Sequence, residues 1–296
     1  MLKTCSEISL DSKEQLFGTT PKVNYWILIE YNSEWEENVL KSINISQAVK
    51  SKISELLQSR EYTRLQWIKR VNNNDDLITL YFAESTELNK NLYKRQIAAY
   101  EDILRLNFKN IHTDNYRSET PLLLICTHNS YDSCCGKQGF SLYKDVCDDN
   151  YFDVWQTSHL GGHRFAPNVL LLPEGLYYGR VDSSKYETIK NDFINNQLSI
   201  EILRGRSFHD KYIQAADHYL RISIGNSDFD SLNYISSGKL NEQAICVNFK
   251  YAASNSSYKV IIEELPAIME ICPGCNDRKM KTISQFRLLN IEKTMV

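Results

Sequence analysis

Between Tyr25 and Asn195 the apolar pattern passes twice through the same order of segments, and that order limits the folds open to the chain. In the first pass Tyr25 to Glu30 (YWILIE) is an aromatic and β-branched run of strand length. Ser46 stands where a helix cap belongs, and Val49, Ile53, Leu56 and Leu57 recur behind it at helical spacing. Three strand-like pieces come next, Leu65 to Lys69, Leu77 to Phe82 and Leu92 to Ile97, with the polar Asn72 to Asp76 joining the first two as a hairpin-like turn. A short helix at Tyr100 to Leu106 closes the pass. The second pass runs through strand Leu122 to Cys126, helix Gly139 to Val146, and strands Phe152 to Thr157 and Asn168 to Leu172. After the turn Pro173 to Gly175 it ends in strand Leu176 to Val181 and a helix from Ser184 to Asn195, opened by Asp182 or Ser183.

Both passes read β-α-β-β-β-α, the order of a thioredoxin-like α/β layer, although no residue-level repeat is visible. The expected fold class is therefore α/β. A thioredoxin-like domain spans 116–205, and a second α/β domain of the same order, over 1–115, precedes it. Residues 206–296 follow as a small α+β extension with a helix from His209 to Ile222 and strands near Ala244 to Phe249 and Tyr258 to Glu264. Asn226 to Asn241 is polar enough to be a loop.

Composition removes several partners. With 42% hydrophobic and 24% charged residues in 296, the chain can bury a sizeable core, so disordered and fibrous classes are excluded. The 34 basic residues against 37 acidic ones include no run of five like charges, which leaves no arm for nucleic acid or an anionic membrane. The amino terminus has no continuous apolar stretch, and the longest apolar runs, Leu122 to Cys126 and Val169 to Leu172, are strand-sized. A cytoplasmic protein without a membrane partner is expected.

Eight cysteines are placed unevenly: Cys5 alone, then Cys126, Cys134, Cys135, Cys147, Cys246, Cys272 and Cys275. In a cytosol-like chain such clustering points to metal or redox chemistry rather than stapling. Cys126-x8-Cys135, twenty-three intervening residues and His159-x3-His163 bring two thiols and two imidazoles, a complete four-ligand shell for zinc or an iron-sulfur cluster. Cys134 competes with Cys135 for the second thiolate. Gly161 and Gly162 between the histidines, and Pro167 after them, argue against one helical turn and for a loop that wraps its ligand. Cys126-Thr127-His128 resembles half of a Rieske motif, but no cysteine has a histidine three residues on, so His128 is read as a hydrogen-bonding support. Cys272-Pro273-Gly274-Cys275 has C-x-x-C spacing, suited to a second metal, a reducible disulfide or a plain pair of thiols. Arg164, Arg180, Arg204 and Arg206 are read as solvated first and as an anion or partner patch second. Phosphate-binding, serine-hydrolase and zinc-protease motifs are missing.

Four strings together resemble the sucrase/ferredoxin-like family: Cys126-Thr127-His128-x3-Asp132-x-Cys134-Cys135-Gly136, Ser158-His159-Leu160-Gly161-Gly162-His163-Arg164-Phe165-Ala166-Pro167-Asn168, Leu176-Tyr177-Tyr178-Gly179-Arg180 and Arg204-Gly205-Arg206-Ser207. The resemblance implies a thioredoxin-like 2Fe-2S ferredoxin in which Cys126 and Cys135 bind one iron and His159 and His163 the other. Cys135 is preferred because the family's cysteine precedes Gly or Ala. His128, Cys134, Gly161, Gly162 and Arg164 are then the residues set around the ligands. Tyr131 stands where the family usually has a basic residue. No paired-carboxylate motif supports glycoside hydrolysis.

The function expected is one-electron transfer with an unidentified redox partner protein, a carrier more than a catalyst. Neutral imidazoles in place of two thiolates raise the potential, to about −150 to +300 mV in Rieske centres against about −400 mV in plant-type ferredoxins. The reduced centre holds an imidazole proton more tightly, so the potential is expected to fall as pH rises. The alternatives are a zinc-binding structural module on the same four residues, or a thiol-redox protein cycling Cys134 and Cys135 or Cys272 and Cys275.

Overall fold

The computed structural model describes residues 2–71, 76–106, 114–254 and 256–295. In chain order the first part holds α1 (Cys5–Asp11), β1 (Tyr25–Glu30), α2 (Val39–Ser42), α3 (Gln47–Gln58), β2 (Thr63–Lys69), β3 (Ile78–Ser85) and β4 (Lys90–Ile97), then a 3₁₀ turn at Tyr100–Arg105. The middle holds β5 (Leu122–Cys126), α4 (Phe140–Val146), β6 (Asp153–Thr157), β7 (Val169–Leu172), β8 (Leu176–Tyr178), α5 (Ser183–Ile194) and β9 (Leu203–Arg206). The last part holds α6 (Lys211–Ile224), β10 (Leu232–Lys239), β11 (Ala244–Tyr251), β12 (Ser256–Ile271) and β13 (Lys281–Met295). Contacts gather these into two units, one of residues 23–160 and 167–175, the other of 1–22, 161–166 and 176–296. This grouping cuts across the consecutive ranges 1–115, 116–205 and 206–296 that follow from element order.

The unit of residues 23–160 and 167–175 is built on a mixed sheet in the order β4-β3-β1-β2-β6-β5-β7. β1 runs parallel to β2 on one side and antiparallel to β3 on the other. β5 repeats the arrangement, parallel to β6 and antiparallel to β7. The two halves meet where β2 and β6 pair antiparallel, Ile68 opposite Thr157 and Lys69 opposite Gln156. The similar order of elements in the two halves is thus accompanied by a similar strand pairing. One expectation is corrected: Leu65 to Lys69 and Leu77 to Phe82 form no hairpin, because β1, buried from Trp26 to Glu30, takes a neighbour on each side and lies between them. Residues 72–75 of the expected turn lie outside the described residues.

Parallel β1 and β2 need a crossover, which α3 provides. Its Val49, Ile53 and Leu56 are buried and pack with Ile27, Ile29, Trp35, Trp67, Leu80 and Phe82. Ser46 has the extended backbone of a cap, but its side chain makes no capping bond.

In the other unit α6 packs on a four-stranded antiparallel sheet, β10-β11-β12-β13. Ala216 and Leu220 of the helix meet Val247, Phe249, Val260 and Ile262 in one core. The helix starts two residues later than its apolar pattern because the Asp210 carboxylate accepts from the N–H groups of Tyr212 and Ile213. Asn226 to Asn241 is not all loop: it contains β10, an edge strand with most side chains exposed, which needs no apolar alternation to form. β13 and the extension of β12 to Ile271 were not legible, for the same reason. In the leader, Thr4 and Glu7 cap α1 reciprocally, a T-x-x-E box that sequence reading passed over. β8 stops at Tyr178 instead of Val181, and Arg180 at φ 57° leaves the extended region. Among the described residues no helix is long and apolar enough to cross a membrane.

His218 on α6 stacks on Phe17, with ring centroids 3.9 Å apart and planes 13° apart. Burial lowers its pKa to about 4, opposed in part by the Asp217 carboxylate. The unfolded chain takes up this proton near pH 6.5 and the folded chain only near 4, so stability is full above about pH 6.5 and falls as pH drops towards 4. The loss reaches on the order of 3 kcal/mol for this group. Thermal melts between pH 7.5 and 4.5 should show that His218→Phe flattens the acid limb of the wild-type profile.

Candidate metal centre

β5 is buried along its whole length and parallel to β6, with Cys126 directly opposite Thr157. Parallel partners leave the sheet at the same end, so the loop after Cys126 and the loop after Thr157 emerge side by side. The corner is tied by backbone bonds from Cys126 N–H to the Asn168 carbonyl (3.0 Å) and from Thr127 N–H to the Thr157 carbonyl (3.2 Å). His159, two residues beyond Thr157, reaches back so that its Nδ1 lies 4.0 Å from Cys126 Sγ. Cys135 completes a group whose donor atoms all lie within 4.8 Å of one another: Cys126, Cys135 and His159. Both cysteines are fully buried.

Cys135 is delivered by a tight loop and a wide, π-type turn. Asp132, itself buried, accepts the Cys134 N–H on Oδ1 at 2.8 Å, and the turn Cys135–Gly139 then leads into α4. Expected from Gly139, α4 starts one residue later because Gly139 belongs to this turn. At Gly139 a Cβ would overlap the carbonyl oxygen of Cys126, so only glycine lets the helix start close enough to bring Cys135 to Cys126. The Cys135 thiol hydrogen-bonds the Cys126 sulfur and, with His159 alongside, holds Cys126 well below the ordinary thiol range; the same bond and burial push Cys135 well above it. One thiolate, one thiol and one imidazole in a buried space suit a soft metal ion or cluster that replaces the shared proton. Cys134 is buried but lies outside this group of three.

The amino-terminal half of the same unit orients the histidine. Arg64 on β2 donates from Nη2 to the His159 carbonyl at 2.6 Å. The His159 N–H donates to His128 Nδ1 at 3.2 Å, and His128 Nε2 donates to the Glu36 carbonyl at 2.9 Å. A ring that accepts at Nδ1 and donates at Nε2 is neutral and in one tautomer, in agreement with the downward push of burial on its pKa. Trp35 packs edge-on against that ring, at 5.8 Å between centroids. The Tyr131 ring covers His159 at 3.7 Å and 14°, a stack that a basic residue in its place would make through a guanidinium or not at all. Arg64, Trp35 and Glu36 carry no motif and were not legible; Asp132 and Tyr131 stood inside the motif without a readable role.

His163 belongs to the other unit. There its Nε2 meets the backbone carbonyl of Pro273, in the Cys272 to Cys275 loop. A carbonyl only accepts, so Nε2 carries the proton and, in the neutral ring, Nδ1 carries the lone pair. Gly161 and Gly162 have φ of 100° and 72°, and a Cβ on Gly162 would collide with the Arg204 guanidinium. Arg204 is 1% exposed and donates to the Gly161 carbonyl (2.9 Å), the Thr19 carbonyl (2.7 Å) and Thr19 Oγ1 (3.1 Å). Arg206, also buried, donates to the Phe229 carbonyl. Arg164 donates to the buried Glu14 carboxylate at 2.6 Å, and Arg180 reaches Ser9 Oγ and the Glu14 carbonyl. The solvated reading of these arginines is corrected for Arg204 and Arg206: both are internal struts.

A family model described as Suc_Fer-like, sucrase/ferredoxin-like, matches residues 16–205, and the chain belongs to that family. Two curated relatives carry the name "Altered inheritance of mitochondria protein 32". The protein of Meyerozyma guilliermondii is 31% identical over 101 residues, 31% of this chain and 35% of the relative. That of Debaryomyces hansenii is 34% identical over 95 residues, 28% of this chain and 35% of the relative. The chain thus spans about a third of the length of the curated relatives it matches. No solved structure matches it.

Gly139→Ala is expected to cost about 2–3 kcal/mol, since the added methyl overlaps backbone that cannot rotate away. Gly238→Ala, where a Cβ meets nothing within 4 Å, is the control and should leave the urea midpoint nearly unchanged.

Proposed function

We propose that the protein binds a 2Fe-2S cluster through Cys126, Cys135, His159 and His163 and acts as a one-electron carrier on a thioredoxin-like scaffold. The observation that carries this reading is the convergence of Cys126, Cys135 and His159 in a buried space at the carboxyl ends of two parallel strands. His163 is taken as the fourth ligand on the strength of the family motif, and its Nε2 contact with the Pro273 carbonyl is consistent with a lone pair on Nδ1. His159 also turns Nδ1 towards Cys126. When bound, the cluster supplies reversible uptake of a single electron, at a raised potential because two of its ligands are neutral.

The chain's own residues hold that chemistry steady. His128 and Arg64 clamp both ends of the His159 backbone unit, which removes rotations that would otherwise accompany a change of charge. Tyr131 shields one face of the His159 ring from water. The partner would be a redox protein, and the cytoplasm is the compartment in which it would work.

Elemental analysis with a visible spectrum of anaerobically purified protein tests the reading. Iron and acid-labile sulfide in equal amounts, with absorption altered in both His159→Ala and His163→Ala, are expected. Stoichiometric zinc would replace electron transfer by a structural role for the same donors, and a metal-free protein with Cys134 and Cys135, or Cys272 and Cys275, cycling between thiol and disulfide would make it a thiol-redox protein.

A further inference from the structure

The C-x-x-C loop does not close on itself. Cys272 is buried, and its thiol donates to the Gly274 carbonyl at 3.2 Å. Cys275, part-exposed in the turn between β12 and β13, points to Cys5, the first residue of α1 and 270 positions away. The two sulfurs are 3.6 Å apart, in van der Waals contact, and the Cys5 N–H donates to Cys275 Sγ at 3.4 Å. Both residues lie within one unit.

We propose that Cys5 and Cys275 are a reversible disulfide site, written by small-molecule disulfides of the glutathione type. Cys275 is the attacking residue because it is the accessible one of the pair. Its sulfur attacks the oxidant's S–S bond, which breaks and releases one thiolate, leaving a mixed disulfide on Cys275. The Cys5 sulfur, giving up its proton, then attacks the Cys275 sulfur and expels the second thiolate. The two protein protons end on the two departing thiols, the two cysteine sulfurs are oxidised, and the oxidant's sulfurs are reduced. Cys5 is the resolving residue by contact, whereas Cys272 is turned to its own loop carbonyl.

The test is a titration of the full chain with oxidised glutathione, an acid quench, blocking of remaining thiols and a non-reduced peptide map. The expected result is a peptide bearing Cys5 joined to one bearing Cys275, lost on treatment with dithiothreitol. The joined pair persists in Cys272→Ser, and a glutathione adduct on Cys275 accumulates in Cys5→Ser. The melting temperature is expected to rise on oxidation in wild type and in Cys272→Ser, and to stay level in Cys5→Ser. A Cys272 to Cys275 link, or Cys5 and Cys275 both still alkylated in full at excess oxidant, would overturn the assignment. Because the map is read on wild-type protein, a variant that fails to fold does not remove the decision.

Discussion

The parallel register of β5 and β6 is the constraint on which the site depends. With Cys126 opposite Thr157, the chain leaves both strands at one end of the sheet, and the first donor of each motif arrives there within a residue or two of its strand. A one-residue slip would turn Cys126 and the flanking apolar run to the opposite face. Complete burial of Leu122 to Cys126 makes such a slip costly, so apolar burial along the strand is also what fixes the donors. Gly139 adds the third donor to that corner by allowing a helix to start against the carbonyl of Cys126.

The two halves of the mixed sheet share a pairing pattern but divide the work. At the end of β1, where β5 has Cys126, the first half has Glu30, buried and engaged by the Thr79 N–H at 2.8 Å and the Asn32 amide at 3.1 Å. Its carboxylate is consumed inside the half that carries it. What that half offers the other is support: Arg64 on β2 for the His159 carbonyl, and Trp35 and Glu36 for His128. A sheet in which one half carries the candidate donors and the other orients His159 gives the amino-terminal half a physical purpose.

The strands that bury both faces were legible because their composition is dictated by the core: Tyr25 to Glu30 and Leu122 to Cys126 have the bounds read from sequence. α5 was legible too, since Asp182 caps it through the Lys185 N–H. β10 and β13 were not, because backbone pairing stabilises an exposed edge without asking anything of the side chains. The false hairpin came from treating neighbours in sequence as neighbours in the sheet, when β1 takes the place between them. At the site, spacing identified residue types that hold metals, but the supports are backbone carbonyls and a lone arginine, which leave no pattern. The pairing of Cys275 with Cys5 had no local signal, as the two lie at opposite ends of the chain.

The division of the chain into interleaved units also sets an order of events during synthesis. Residues 23–160 and 167–175 form a unit whose contacts are complete before residue 176 is made, so Cys126, Cys135 and His159 can be placed early. The segment 161–166 is made in the middle of that stretch but waits for Arg204, which fills the space beside Gly162 and holds the Gly161 carbonyl. Residues 1–22 wait as well, since Glu14 and Thr19 are held by Arg164 and Arg204 and Gln15 bonds the backbone of Phe286. During synthesis the His163 loop therefore settles after the corner that holds Cys126, Cys135 and His159.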